Sequence, residues 1–160
     1  MTDDYLRFIE NLDYYLSIEL EFVNLKDSRH YSLWEKDKSL MNVPIGKLDD
    51  VEIVFLHYKD PLKAKAKWER RVSRINRENL IFKFSYMNNC HEEDIEKFIN
   101  LKLPGKKLCF VKDKKTASKD NCLVYYKGFE DSDQIYNDTY YWNRYLNVED
   151  FINKGIITPK

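Results

Sequence analysis

The sequence has no pair of cysteines at metal or redox spacing. Cys90, Cys109 and Cys122 are an odd number without CxxC, which fits reduced thiols better than a disulfide framework or a zinc site. Glycine is equally scarce. Gly46, Gly105, Gly128 and Gly155 form neither GxGxxG nor a P-loop, so standard dinucleotide and Walker-type phosphate sites have no support. The longest apolar run, within "VEIVFL", is far short of a bilayer span. The N-terminus, "MTDDYLRFIENLDYYL", lacks the basic and apolar regions of a signal peptide, so the expected location is the cytoplasm. An excess of either charge is also missing. With 27 basic and 27 acidic residues, the global field does not favour nucleic acid or an anionic surface, and any attraction for anions must be local.

What is present is a polar but aromatic-rich chain of 160 residues, 34% charged and 15% aromatic, long enough for a real core and expected to form one domain over residues 1–160. Asp3 to Leu16 has helical spacing, and "ELEFV" alternates like a short strand. From Asn24 to Leu48 the periodicity fails, and the stretch reads as an irregular excursion ending in a Pro-Ile-Gly turn. Then "VEIVFLHY", "LIFKFS", "KKLCFV" and "CLVYY" read as strands, interleaved with helices from Asp60 and over "HEEDIEKFINL". That alternation predicts βαβ units and an α/β fold, a mostly parallel sheet with flanking helices in a Rossmann-like three-layer arrangement. A final short helix, "VEDFINKG", ends at Gly155.

Seven of the lysines and arginines fall in "HYKDPLKAKAKWERRVSRIN", between His57 and Asn76. Asp60-Pro61 is a good helix start. At 100° per residue, Ala64, Trp68, Val72 and Ile75 share one face. Lys63, Lys67, Arg70 and Arg74 share the neighbouring one, with Arg71 at the border. A solvated amphipathic helix would account for cations as such. It accounts less well for their isolation, because Glu69 is the only acid between Asp60 and Glu78. Unbalanced cations repel one another, and such a stripe points to acids elsewhere in the fold or to a phosphate-bearing ligand.

The stretch "VPIGKLDDVEIVFLHYKDPLKAKAKWERRVSRINRENLIFKFS" resembles the core of an uncharacterised bacterial domain family described as exopolysaccharide biosynthesis proteins. The likeness rests on Pro44, Ile45, Gly46, His57, Tyr58, Lys67, Trp68, Arg70, Arg71, Arg74, Ile75 and Asn76, and continues through "NNCHEEDIEKF", "KKLCFV" and "NRYLNVEDFI". Members of that family usually begin with an upstream strand and an "SNNC-GG"-like loop, which nothing in this sequence matches. The resemblance implies a place in surface-polysaccharide assembly and no particular reaction.

In an open parallel sheet, ligands collect beyond the carboxyl ends of the strands. That rule gathers His57 and Tyr58, Ser85 with Asn88 and Asn89, and Lys112 with Asp113 into one crevice. His57 is the candidate general base, since imidazole titrates near neutral pH. Tyr58, Lys67, Arg70, Arg71, Arg74, Asn76, Ser85 and Asn88 are the candidate ligand-binding residues. Asn88 or Asn89 also reads as a helix cap, Asp131-Ser132-Asp133 as a weak DxD echo better taken as a polar loop, and the Tyr136 to Tyr145 aromatics as cover for a core or a stacking surface for sugars. No metal cluster is visible and no cofactor is named. The expectation is a glycosyltransferase-like transferase of surface polysaccharide that holds a nucleotide sugar or similar phosphate-bearing donor. The alternative is a non-catalytic binding or scaffolding module of the same pathway. A nucleic-acid binder is disfavoured by the neutral net charge.

Overall fold

A computed structural model describes residues 2–35, 42–87, 89–136 and 138–158. The chain divides into two compact units, Asp3–Asn76 and Arg77–Lys160, with Thr2 grouping with the second.

The first unit contains α1 (Thr2–Glu10), α2 (Leu12–Ser17), β1 (Glu21–Val23), a 3-10 turn (Leu25–Asp27), α3 (Tyr31–Trp34), β2 (Ile45–Leu48), β3 (Val51–Val54) and α4 (Pro61–Val72). Its three strands form an antiparallel sheet in the order β1-β2-β3. This overturns the Rossmann-like, mostly parallel arrangement expected from the sequence. The decisive feature is the two-residue Asp49-Asp50 turn, which pairs Leu48 with Val51 and Ile45 with Val54. A two-residue connection can only reverse the chain, because a parallel neighbour needs a crossover of a dozen residues or more. Asp49 supplies the turn's positive φ of 53°, a conformation that Asp tolerates better than most residues. The Pro-Ile-Gly stretch, expected to be a turn, instead leads into and begins β2.

The turn is fastened from behind. Tyr15 Oη donates to Asp50 Oδ1 at 2.6 Å, Arg7 binds Asp50 Oδ2, and Tyr14 Oη donates to Asp49 Oδ2 at 2.9 Å. Burial and the Asp50 hydrogen bond push the Tyr15 phenol up to about 12. Beneath these contacts Tyr15, Leu20, Leu48, Val51, Phe55 and Ala64 form the core, with Phe8 and Trp68 packed against it. Gly46 belongs to this packing too. A Cβ there would lie 2.7 Å from Leu20 and 2.8 Å from the Phe55 ring.

The second unit contains β4 (Ile81–Ser85), α5 (Glu92–Asn100), β5 (Lys106–Val111), α6 (Lys114–Ala117), β6 (Leu123–Tyr125), α7 (Asp138–Tyr141), a 3-10 turn (Trp142–Arg144) and α8 (Val148–Lys154). Here the strands are parallel, in the order β4-β5-β6; α5 forms the first crossover as the sequence alternation predicts, and the short α6, which the sequence reading does not include, lies in the second. The burial of β5 from Leu108 to Val111 has no alternation, as for a strand covered on both faces. Leu108, Phe110, Val124, Tyr126, Ile135, Leu146 and Phe151 make the core. The aromatic run of the tail joins it in part: Tyr145 stacks on Tyr126 with ring centroids 4.0 Å apart, whereas Tyr136 and Tyr140 remain exposed. Helix α8 ends at Gly155 with φ 71°, the left-handed cap expected there.

Candidate functional site

Helix α4 starts as its sequence dictates. Asp60 caps it by accepting from Leu62 N–H at 2.9 Å and Lys63 N–H at 3.4 Å, with Pro61 in the first turn. Ala64 is fully buried, while Trp68, Val72 and Ile75 are half-buried. Trp68 meets Phe8 edge-on at 6.1 Å. On the other flank, Lys63, Arg70, Arg71 and Arg74 are exposed and Lys67 is half-buried. None of these five makes a side-chain ion pair or hydrogen bond among the described residues, in contrast to Lys65, which pairs with Glu19. The helix dipole favours cations in the last turn, which accounts in part for Arg70 and Arg71. It opposes Lys63 in the first turn.

Beside α4 a cleft of about 340 Å³ opens along β3, lined by Asp4, Tyr5, Phe8, Val51, Glu52, Ile53, Val54 and Trp68. Phe55 N–H donates to Pro44 O at 3.0 Å. By antiparallel alternation the backbone groups of Glu52 and Val54 therefore point away from β2, to the outer edge of the sheet. Asp4 takes up the first of them, accepting from Glu52 N–H at 3.3 Å.

Asp4 is 4% exposed and is also the centre of a polar cluster. Arg29 pairs with its Oδ1, and His30 Nε2 lies 2.6 Å from its Oδ2. The Glu52 carboxylate accepts from Ser28 Oγ at 2.6 Å and from Arg29 N–H at 3.2 Å. Burial pushes the His30 imidazole below its ordinary value. Sequence reasoning missed this cluster. Asp4 reads as a helix-start acid, and Arg29 and His30 sit in the stretch without periodicity, so nothing local joins three segments so far apart in the chain.

The sequence-predicted residues are distributed as follows. His57 and Tyr58 occupy the turn after β3. His57 is exposed and has no hydrogen-bond partner among the described residues, and Tyr58 packs edge-on against Phe55 at 6.2 Å. Lys67, Arg70 and Arg71 lie on α4, Arg74 in the turn that follows it and Asn76 in the segment just beyond. Along the axis, His57 and the Arg70–Arg74 group are at opposite ends of a helix roughly 18 Å long. Ser85 falls in the second unit and is occupied internally. Its hydroxyl donates to Asp138 Oδ2, which also accepts from Lys83 at 2.6 Å. Asn88 lies outside the described residues. Asp113 caps α6 by accepting from Thr116 N–H at 2.7 Å, and Lys112 binds Ser132 O and lies over the Tyr86 ring. The start of α5 is set by His91, whose N–H donates to Asp94 at 2.8 Å, and not by an asparagine.

Two other chemistries receive no support from the geometry. All three cysteines are buried and unpaired. Burial pushes the Cys90 and Cys122 thiols up to about 12 and Cys109 well above its ordinary value, the reverse of what a nucleophile needs. No group of three metal-ligating side chains converges among the described residues. No described helix is long and apolar enough to cross a membrane.

Fold and site together define an α/β protein of two three-stranded sheets, one antiparallel and one parallel, with a cationic helix beside an apolar cleft in its first unit. The chain belongs to the family described as "Domain of unknown function (DUF1919)", whose model matches residues 1–154. It is 33% identical over 132 residues to an "Uncharacterized protein" of Haemophilus influenzae, covering 82% of this chain and 56% of that protein. The chain thus spans little more than half the length of that relative. No solved structure matches it. Neither the family description nor that of the relative mentions polysaccharide.

Proposed function

We propose that the first unit binds a phosphate-bearing small molecule, such as a nucleotide sugar, along α4, and that the protein acts as a transferase of bacterial surface-polysaccharide assembly. The observation that carries the binding step is the set of five cations, Lys63, Lys67, Arg70, Arg71 and Arg74, without acidic partners among the described residues and flanking the cleft-lining Trp68. Arginine forks and lysine point charges together suit a phosphate. The reaction class comes from the family resemblance alone. In this reading His57 deprotonates an acceptor hydroxyl, which requires it within about 3 Å of that oxygen. The transferred group then sits toward Lys63 and Lys67, at the His57 end of α4.

One feature favours a second reading, a binding or scaffolding module without turnover: no described residue orients His57 by a hydrogen bond. The test for both is thermal stability against a panel of nucleotide sugars, nucleoside diphosphates and short oligonucleotides, followed by turnover with any hit. A ligand at a hundredfold excess over Kd stabilises by about 2.7 kcal/mol, readily seen as a shift in Tm. A nucleotide-sugar shift lost in Arg70→Ala/Arg74→Ala supports the binding step, and turnover lost in His57→Gln with binding retained supports the transferase. Binding without turnover supports the module. Absence of a shift with every phosphate-bearing ligand removes both.

A further inference from the structure

The cleft beside the cationic stripe is a poor place for a sugar. Phe8, Val51, Ile53, Val54 and Trp68 supply most of its walls with Tyr5, and the two carboxylates in its lining are engaged by their own partners, Asp4 by Arg29 and His30, Glu52 by Ser28 and the Arg29 backbone. A polyhydroxy ligand laid into such walls would leave hydroxyls without hydrogen-bond partners, at a cost that a hydrocarbon does not incur. The volume of about 340 Å³ is at the lower end for small-molecule sites.

Helical geometry sets the cations on one side of that cleft. Arg71 is one turn on from the lining Trp68 at i+3, and Lys67 precedes it. A ligand complementary to both features carries a negative head group and a hydrocarbon chain. The head lies at Arg71 and Lys67, and the chain runs along the outer edge of β3.

Building on the proposed phosphate binding by α4, we infer that the ligand is an amphiphile, the phosphate ester of a long-chain alcohol, whose hydrocarbon occupies the cleft of Phe8, Val51, Ile53, Val54 and Trp68. The hydrocarbon supplies affinity in proportion to the area it buries, and the phosphate selects this class over neutral or cationic amphiphiles.

The experiment is calorimetric titration of the full chain with butyl, hexyl and octyl phosphate below their micelle concentrations, with inorganic phosphate and octyltrimethylammonium as controls. The expected result is a Kd that tightens by up to about fourfold per buried methylene, with an increasingly negative heat-capacity change. Arg71→Gln weakens all phosphates by one common factor and leaves that chain-length dependence intact. Val54→Ser, at the cleft wall, flattens it. Alkyl phosphates that bind no tighter than inorganic phosphate overturn the amphiphile while leaving phosphate binding by α4 in place. Equal binding of octyltrimethylammonium removes the phosphate from the inference, and loss of all binding removes the inference together with the reading on which it rests.

Discussion

The two units differ in where their cations stand: beside the paired Arg7, Arg29 and Lys65, the first unit gathers an unpaired array on one helix flank, whereas the second engages several of its lysines internally. In the parallel-sheet unit, Lys83 is paired with Asp138, Lys119 with Glu92 and Glu96, and Lys107 reaches the carbonyls of Phe98, Ile99 and Leu101 at the end of α5. Lys106 reaches Asn79 and the Ile152 carbonyl. In the antiparallel-sheet unit, five cations of one helix and the turn after it have no such partner among the described residues. A paired charge is explained by the fold that pairs it. An array of like charges that repel and stay unpaired is not, and its free energy points to something outside the chain.

The largest effect that would sharpen this contrast lies at Asp138. Its side chain is 7% exposed, and it holds both Lys83 and Ser85. Asp138→Ala leaves a lysine and a buried hydroxyl without their acceptor and should destabilise by roughly 3 kcal/mol in urea unfolding. Burial pushes the Asp138 carboxyl up, but its bonds to Lys83 and Ser85 outweigh burial and hold it below the ordinary value of 3.8. A folded-state pKa that is depressed contributes stability that is present above the unfolded value and lost as pH falls through the folded one. Asp138→Asn should therefore flatten the acid limb of the stability curve below about pH 4. An unchanged acid limb would mean that the pairing is not what fixes Asp138 in place.

Trp68 tests the boundary between packing and site. A fully buried Trp costs roughly 3–5 kcal/mol on truncation to Ala, and half-burial against Phe8 lowers the expectation for Trp68→Ala to about 2 kcal/mol. A loss as large as that of a core aromatic would make Trp68 a structural residue and the cleft a by-product of packing. Below it comes Asp60, whose carboxylate satisfies two backbone N–H groups of α4. Asp60→Ala should cost about 1 kcal/mol by chemical denaturation, and a null result there would mean that α4 is held by its buried face alone.

Legibility in the sequence followed the range of the interactions. Elements set by local periodicity and caps were readable: α4 from Asp60-Pro61, β4 and β5 from their apolar runs, and α8 with its Gly155 cap. The sheet containing β3 is not legible, because "VEIVFL" carries no mark of its partner and that partner, β2, lies in a stretch without periodicity. The Asp49-Asp50 turn was the available signal, since a pair of turn-forming residues between two runs is how a hairpin announces itself. Of the candidate site, the cationic stripe was legible because one helix carries it all. The cleft and the Asp4, Arg29, His30 and Glu52 cluster were not, because they join α1, β3 and the segment before α3, and one sequence gives no information on such long-range pairing. Ser85, Lys112 and Asp113 do lie at the carboxyl ends of the parallel strands β4 and β5, but the second unit already uses them internally, and β3 with His57 and Tyr58 belongs to the other, antiparallel sheet.

The smallest effect is the one that bears most directly on the comparison. Arg70 and Arg74 are exposed and without ion pairs among the described residues, so Arg70→Ala/Arg74→Ala should change stability by no more than about 0.5 kcal/mol per site. Relief of repulsion along the stripe would push that change toward stabilisation, most visibly at low salt, where the Debye length reaches about 30 Å. Loss of the favourable dipole interaction in the last turn pushes the other way for Arg70. Thermal unfolding of the double variant at low and high salt separates the two, because each charge interaction has its own sign. A variant more stable at low salt identifies the stripe as a repulsive array kept at a cost to the fold, as a ligand-binding surface would be. A variant markedly less stable at both salts would show that the cations have structural partners after all, and would end the distinction between the two units.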